Sequence, residues 1–359
     1  MLDRIPSALR WGRQGASVVL GALLTFGLTA CEVPTELPKW DTTWVVPADS
    51  TTIGVSSLLP SSVTTTANGS AFLLNVQPVT LSQTLAQLCG ATCDALQGAT
   101  VPKPAFTSTV SSSISLPGEV VSVKDGEVTV TLSHDFSFDP LRPAPGQFGY
   151  IVVTATSGST VLATDSLAGE ALDFPAGLVR TRSLVLNGTI SGPIAVSVKT
   201  FSPAGGTVDV DLGDRLSVRT PSQIRFSQSQ IRVTNRTINT SDVEMDLGEI
   251  DEDMSSRAKS GALLLRLSNP FAVTGNLSLV ITAPGTTITK PVLLAQGTTS
   301  VRVEFNQQEI QAILGSKPVM LRAGGAVCAS AVCTTTVMPS QTVTIASRLE
   351  LTIGPKEQN

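Results

Sequence analysis

The chain has 359 residues, with 24 Lys and Arg against 28 Asp and Glu, one histidine and a formal net charge of −4. A mildly acidic chain with no basic run lacks the electrostatic footprint of nucleic-acid binding, and a single histidine excludes a metal centre built on several. Charged residues are only 14% and hydrophobic ones 42%, which is not the composition of disorder, and the length suggests two domains.

The first thirty residues carry Arg4, Arg10 and Arg13 against Asp3, followed by an apolar run from Ala16 to Ala30. A run of about fifteen residues falls short of the ~20 that cross a hydrocarbon core as a helix. A positive start and a short apolar core form the pattern of a secretory signal peptide. The run ends in Leu28-Thr29-Ala30-Cys31. This tetrapeptide resembles the lipobox of bacterial lipoproteins: a branched apolar residue, two small residues and a cysteine. The resemblance implies cleavage before Cys31 by the second type of signal peptidase, a diacylglyceryl group on its thiol and a further acyl chain, such as palmitate, on the new amine. One acyl chain anchors only marginally, at about 0.8 kcal/mol per buried methylene, whereas two or three hold firmly. The expected location is the cell envelope, anchored to a membrane. Glu32 follows the cysteine where, in enteric bacteria, aspartate signals inner-membrane retention, so the outer membrane is the expected face. The chain from Cys31 onward has 21 basic and 27 acidic side chains, a net charge of −6.

Residues 31–49 read as a lipidated tether, because Pro34, Pro38 and Pro47 interrupt regular structure. Trp40 and Trp44 in it would dock on the body or rest at headgroups. Residues 50–104 read as a strand and helix segment, with a helix from Thr80 to Cys89 and Gly90 ending it. Residues 105–218 carry about seven short alternating strands, the density of a β-sandwich. In this stretch Asp125-Gly126 reads as a hairpin turn between Val120–Val123 and Val128–Leu132, Ser157-Gly158 as another, and Asn187-Gly188 as a further turn signal. A seam at Arg219-Thr220-Pro221 opens a second strand series over 219–354, with a short helix capped by Asn306 and Glu309 and stopped by Gly315, and residues 355–359 form a tail. Val343, Ile345, Leu349, Leu351 and Ile353 give the last strand period-two spacing. The fold class expected is therefore all-β: two immunoglobulin-like or related β-sandwich domains with a few short helices. Leu132-Ser133-His134-Asp135-Phe136 and Leu267-Ser268-Asn269-Pro270-Phe271 echo one another, as duplicated halves would.

Four cysteines lie beyond Cys31, in the close pairs Cys89 with Cys93 and Cys328 with Cys333. Export favours two local disulfides; the rival is a four-cysteine zinc site. His134 stands beside Asp135, but neighbours on a strand point to opposite faces and there is no Gly-x-Ser-x-Gly elbow. A surface histidine at a strand end is expected, with no catalytic residue assigned and no enzyme expected. Asp242, Glu244, Asp246, Glu249, Asp251, Glu252 and Asp253 crowd seven carboxylates into twelve residues. Such a run could supply the six to eight oxygens that calcium takes, with Asp242, Glu244, Asp246, Glu249, Asp251 and Asp253 as candidate ligands, or be a solvated loop; no other cofactor is expected. Three roles stay open, in this order: a structural or binding lipoprotein with an envelope protein or polymer as partner, a carrier of a lipid or apolar ligand between sheets, and a paired-carboxylate hydrolase.

Overall fold

The computed structural model describes residues 41–355 apart from Asp246, Gly248, Glu249, Asp251 and Ser316. The lipobox, Cys31, Trp40 and three of the acidic candidates therefore lie outside the described residues.

The chain is all-β, built of antiparallel sheets with a few short helices. Its first half runs β1 (Thr42–Gly54), β2 (Val63–Thr65), β3 (Phe72–Asn75), β4 (Thr80–Thr84), α1 (Leu85–Cys89), β5 (Thr100–Pro102), β6 (Phe106–Ile114) and β7 (Val120–His134). It continues through β8 (Tyr150–Ser157), β9 (Thr160–Ala168), β10 (Val179–Ile190), β11 (Ile194–Ser202), β12 (Thr207–Asp209) and β13 (Arg215–Arg219). The second half holds β14 (Gln223–Val233), β15 (Arg236–Asn239), β16 (Val243–Glu244), α2 (Glu252–Ser256), β17 (Ala258–Asn269), β18 (Gly275–Ala283) and β19 (Thr286–Leu294). After these come β20 (Gly297–Phe305), α3 (Gln307–Leu314), β21 (Met320–Val327), β22 (Cys333–Val337) and β23 (Thr342–Ile353).

An eight-stranded sheet, β2-β3-β14-β7-β13-β4 with β10 on β7 and β22 on β14, accompanies a four-stranded sheet, β6-β11-β8-β9. A second pair of sheets is β1-β23-β17-β20 and β15-β21-β18-β19, with β16 on β21. Period-two sequence makes these strands two-faced. In β23, Val343, Ile345, Leu349 and Leu351 are buried while Thr342 and Arg348 are exposed. The inward rows meet in one continuous apolar core, from Phe72 and Phe226 in the first half to Leu263, Leu279 and Leu349 in the second.

Four sequence expectations change. Asp125-Gly126 is no hairpin turn: β7 runs through it, and β10 lies alongside with Leu186 opposite Gly126 and Thr189 opposite Lys124. Asn187-Gly188 fills the extra positions of that bulge, and the Gly188 N–H donates to Asp125 Oδ1 at 3.2 Å. Asp125 takes φ 51° and Gly188 φ 91°, so the residues that suit a turn serve a bulge instead. The expected tether ends earlier than residue 49, because Thr42 onward pairs with β23. Thr80 to Thr84 is strand, paired with β13, and only Leu85–Cys89 is helix, its start fixed by a capping box between Thr84 and Gln87. The residues around Pro221 do not mark a boundary between sheets, since β13 and β14 both pair with β7. The Asn306–Glu309 capping box and the hairpin at Ser157-Gly158 stand where the sequence puts them.

Candidate functional site

His134 ends β7 and is 4% exposed, so it is not the surface residue expected. Phe136 stacks on its ring at 5.1 Å and Phe174 meets it edge-on at 4.5 Å. Nε2 donates to the Phe174 carbonyl at 2.5 Å, which leaves Nδ1 without a partner among the described residues. Burial lowers its pKa, opposed by the Phe174 carbonyl and by the charges of Asp139 and Asp135. Asp135 turns away and accepts from the Arg215 N–H. Beyond Phe136 the stack continues to Phe138 at 5.2 Å and reaches Lys103, a buried cation that sequence reading missed. Its Nζ donates to the carbonyls of Pro203 at 2.6 Å and Pro104 at 2.9 Å, and lies 4.7 Å from the Phe106 ring centre and 5.1 Å from that of Phe138.

The cysteines pair as expected: Cys89 with Cys93 and Cys328 with Cys333, at Cα separations of 5.8 and 5.7 Å. Each closes a short loop, the first at the end of α1 and the second between β21 and β22. Of the acidic run, Asp242 lies 3.9 Å from Arg322 and Asp253 pairs with Arg257 at 3.0 Å. No group of three or more potential metal ligands gathers among the described residues. Elsewhere burial raises the Asp214 pKa, the charges of Asp135 and Asp211 raise it further, and a hydrogen bond with the Ser137 backbone opposes them. Asp211 is engaged by its own loop and by a distant segment, accepting from Gly213 N at 2.8 Å and Gln97 Nε2 at 3.3 Å.

A different face gathers more. In the sheet β1-β23-β17-β20, Leu264 of β17 lies opposite Arg302 of β20 and Arg348 of β23, and Arg348 lies opposite Pro47 of β1. One step along, Arg266 lies opposite Ser300 and Ala346, and Ala346 opposite Ser50. Cross-strand partners share a face, so three guanidiniums rise from one surface around Leu264. They border an open groove of about 520 Å³. With strands ~4.8 Å apart, Arg302 and Arg348 start about 10 Å from each other. Arg302 Nη2 donates to Glu350 at 2.7 Å, and its Nε lies 3.5 Å from Glu304. The hydrogen bond from Arg302 holds the Glu350 carboxyl below its usual range. Arg266 and Arg348 have no carboxylate in ion-pair range among the described residues. The next row holds Thr52, Thr344, Ser268 and Thr298. The sequence signal was an outward Arg in three alternating strands; it became a site only once those strands proved to be neighbours. Trp44 is 51% exposed on β1, its Nε1 donating to Thr42 Oγ1 at 3.1 Å.

No protein-family model matches the chain, and no curated protein matches it. A candidate secreted protein from Parabacteroides distasonis ATCC 8503 is similar in structure at 10% identity and TM-score 0.29, over 89% of this chain and 100% of that one. The broad bean stain virus structure is similar at 11% identity and TM-score 0.19, over 83% and 95%. The CBM22-1–CBM22-2 tandem domain of Paenibacillus barcinonensis Xyn10C is similar at 9% identity and TM-score 0.17, over 86% and 99%. Likeness this slight carries no argument about activity.

Proposed function

We propose that the chain is an exported lipoprotein, anchored through Cys31, that serves its envelope by binding a partner on the outside of its sheets rather than by catalysis. The observation that carries the binding role is where the apolar and polar groups sit. Leu263, Leu265, Leu349 and Leu351 from one sheet and Leu277, Leu279 and Ile281 from the other are each at most 2% exposed, so the inward faces of both sheets are closed to solvent. The groove that the arginines border lies on the opposite, outward face. A carrier of apolar ligands needs the reverse, a cavity inside. The enclosure of His134 by Phe136 and Phe174 supports the non-catalytic reading. Among the described residues no helix is long and apolar enough to cross a membrane, and the anchoring proposal rests on Leu28-Thr29-Ala30-Cys31.

Cys31→Ala tests the anchor. The variant is expected to leave the membrane fraction or to keep its first thirty residues, and to lack the added acyl mass in intact-mass spectrometry. Unchanged fractionation together with unchanged mass would sink the lipoprotein assignment.

A further inference from the structure

We propose that the outward face of the β1-β23-β17-β20 sheet binds an acidic polysaccharide, with uronate carboxylates on Arg266 and Arg348 and sugar hydroxyls on the adjoining serine and threonine rows. The inference deepens the binding role above and rests on it.

Charge selects the ligand first. The chain as a whole is acidic, at −4, yet this groove brings together Arg266, Arg302 and Arg348. Arg302 is engaged by Glu350 and Glu304, so the positive charge offered to a ligand comes from Arg266 and Arg348. Guanidinium presents a planar fork that matches a carboxylate in two hydrogen bonds. These two stand on adjacent strands and one row apart, which suits anionic groups repeated along a narrow polymer.

The flanking rows choose among polyanions. Ser50 and Ser300 share the row of Arg266, and Thr52, Thr344, Ser268 and Thr298 form the next. Hydroxyls on one side of the cations fit a ligand that carries hydroxyls beside its carboxylates. On the other side stand Glu350 and Glu304, in one row with Val45 and Ala262. A flat anionic bilayer settling on this face would press against those glutamates, whereas a single chain along the arginine rows avoids them. Leu264, between Arg302 and Arg348, and Ala346 give a low apolar floor. Single-stranded nucleic acid stacks its bases on aromatic rings, and none is among the described residues that line the groove.

The test uses the full chain in detergent and isothermal titration with three acidic tetrasaccharides: of galacturonate, of mannuronate, and of alternating glucuronate and N-acetylglucosamine. At least one is expected to bind ten-fold or more tightly than its carboxyl-reduced counterpart, and more weakly as salt rises. Arg266→Ala with Arg348→Ala should cut that affinity at least ten-fold with the unfolding midpoint unchanged, and the paired Lys replacements should restore only a fraction of it. Equal affinity for acidic and reduced sugars, affinity that survives the double Ala substitution, or no binding of any of the three overturns the proposal. Displacement of the sugar by equimolar short-chain phosphatidylglycerol would assign the face to lipid and overturn it too. A chain that still needs Cys31 to fractionate with membranes but binds none of these sugars loses this site and keeps its anchor.

Discussion

The ammonium of Lys103 sits where water does not reach, at 1% exposure, between two aromatic rings and two proline carbonyls. Burial lowers its pKa from 10.5 to about 7. Below about pH 7 folded and unfolded chains both hold the proton, and the full cost of burying the charge stands. Between about 7 and 10.5 the unfolded chain keeps a proton that the folded chain has released, so stability climbs with pH across that window. The rise between the two plateaus is at most on the order of 5 kcal/mol. Lys103→Met removes the titration and leaves two carbonyls without a donor, a pH-independent cost of roughly 1–3 kcal/mol each. Urea unfolding should therefore show the wild type gaining on the Met variant from pH 7 to pH 10, with a constant difference below pH 7. A constant difference throughout would refute the buried-charge account. Neither Lys103 nor the enclosure of His134 was legible in the sequence. A lysine between Pro102 and Pro104 reads as loop, and only the fold shows that Phe106, Phe138 and Pro203 converge on it. The echo at the ends of two strands was legible, and both of its aromatics pack inward: Phe136 and Phe271 are fully buried.

Among the elements, alternation located most strands, and turn chemistry misplaced their ends. Asp125-Gly126 reads as a hairpin turn and Asn187-Gly188 as a further turn signal, because a turn and a bulge demand the same backbone freedom. Pairing decides between them, and pairing is long-range: β7 meets β10, β13 and β14, none of them its immediate neighbour in the chain. Glycine within β21 shows the same dependence. Gly325 lies opposite Leu277 of β18, and a Cβ there would overlap the Asn276 carbonyl oxygen and stand 2.8 Å from the Leu277 Cα. Backbone atoms cannot swing aside as a side-chain tip can. Gly325→Ala is thus expected to cost about 1–3 kcal/mol in chemical denaturation. Gly118→Ala, with nothing within 4 Å of the added methyl, should stay within about 0.5 kcal/mol of wild type. If both changes proved equally mild, β21 would not pack tightly against β18 at this point.

At the scale of the molecule, the strands that the sequence assigns to separate segments are exchanged between sheets. Strand β1, expected as the end of a tether, closes the far sheet by pairing with β23, from Thr42 opposite Ile353 to Gly54 opposite Thr342. Strand β22, from the second series, joins β14 in the eight-stranded sheet. No local pattern announces such exchanges, since an alternating strand carries no record of its partner. Their mechanical consequence follows from covalent geometry. Eleven residue steps separate Cys31 from Thr42, so an anchor at Cys31 would hold the start of β1 within about 40 Å of the lipid, and any pull on that anchor would load the β1–β23 ladder first. The exchanges predict that the two halves unfold as one unit. Ile53 is 2% exposed in β1, and Ile53→Asp both deletes apolar burial and leaves a charge without solvent, an expected cost of about 3–5 kcal/mol. Because β1 belongs to the far sheet while β14 and β22 tie that half to the first, the wild type should unfold in urea as one transition, seen alike by tryptophan fluorescence and circular dichroism. In the variant the whole transition should move to lower urea. Two separate transitions, with only one displaced by Ile53→Asp, would show that the halves fold independently and that the strand exchange does not couple them.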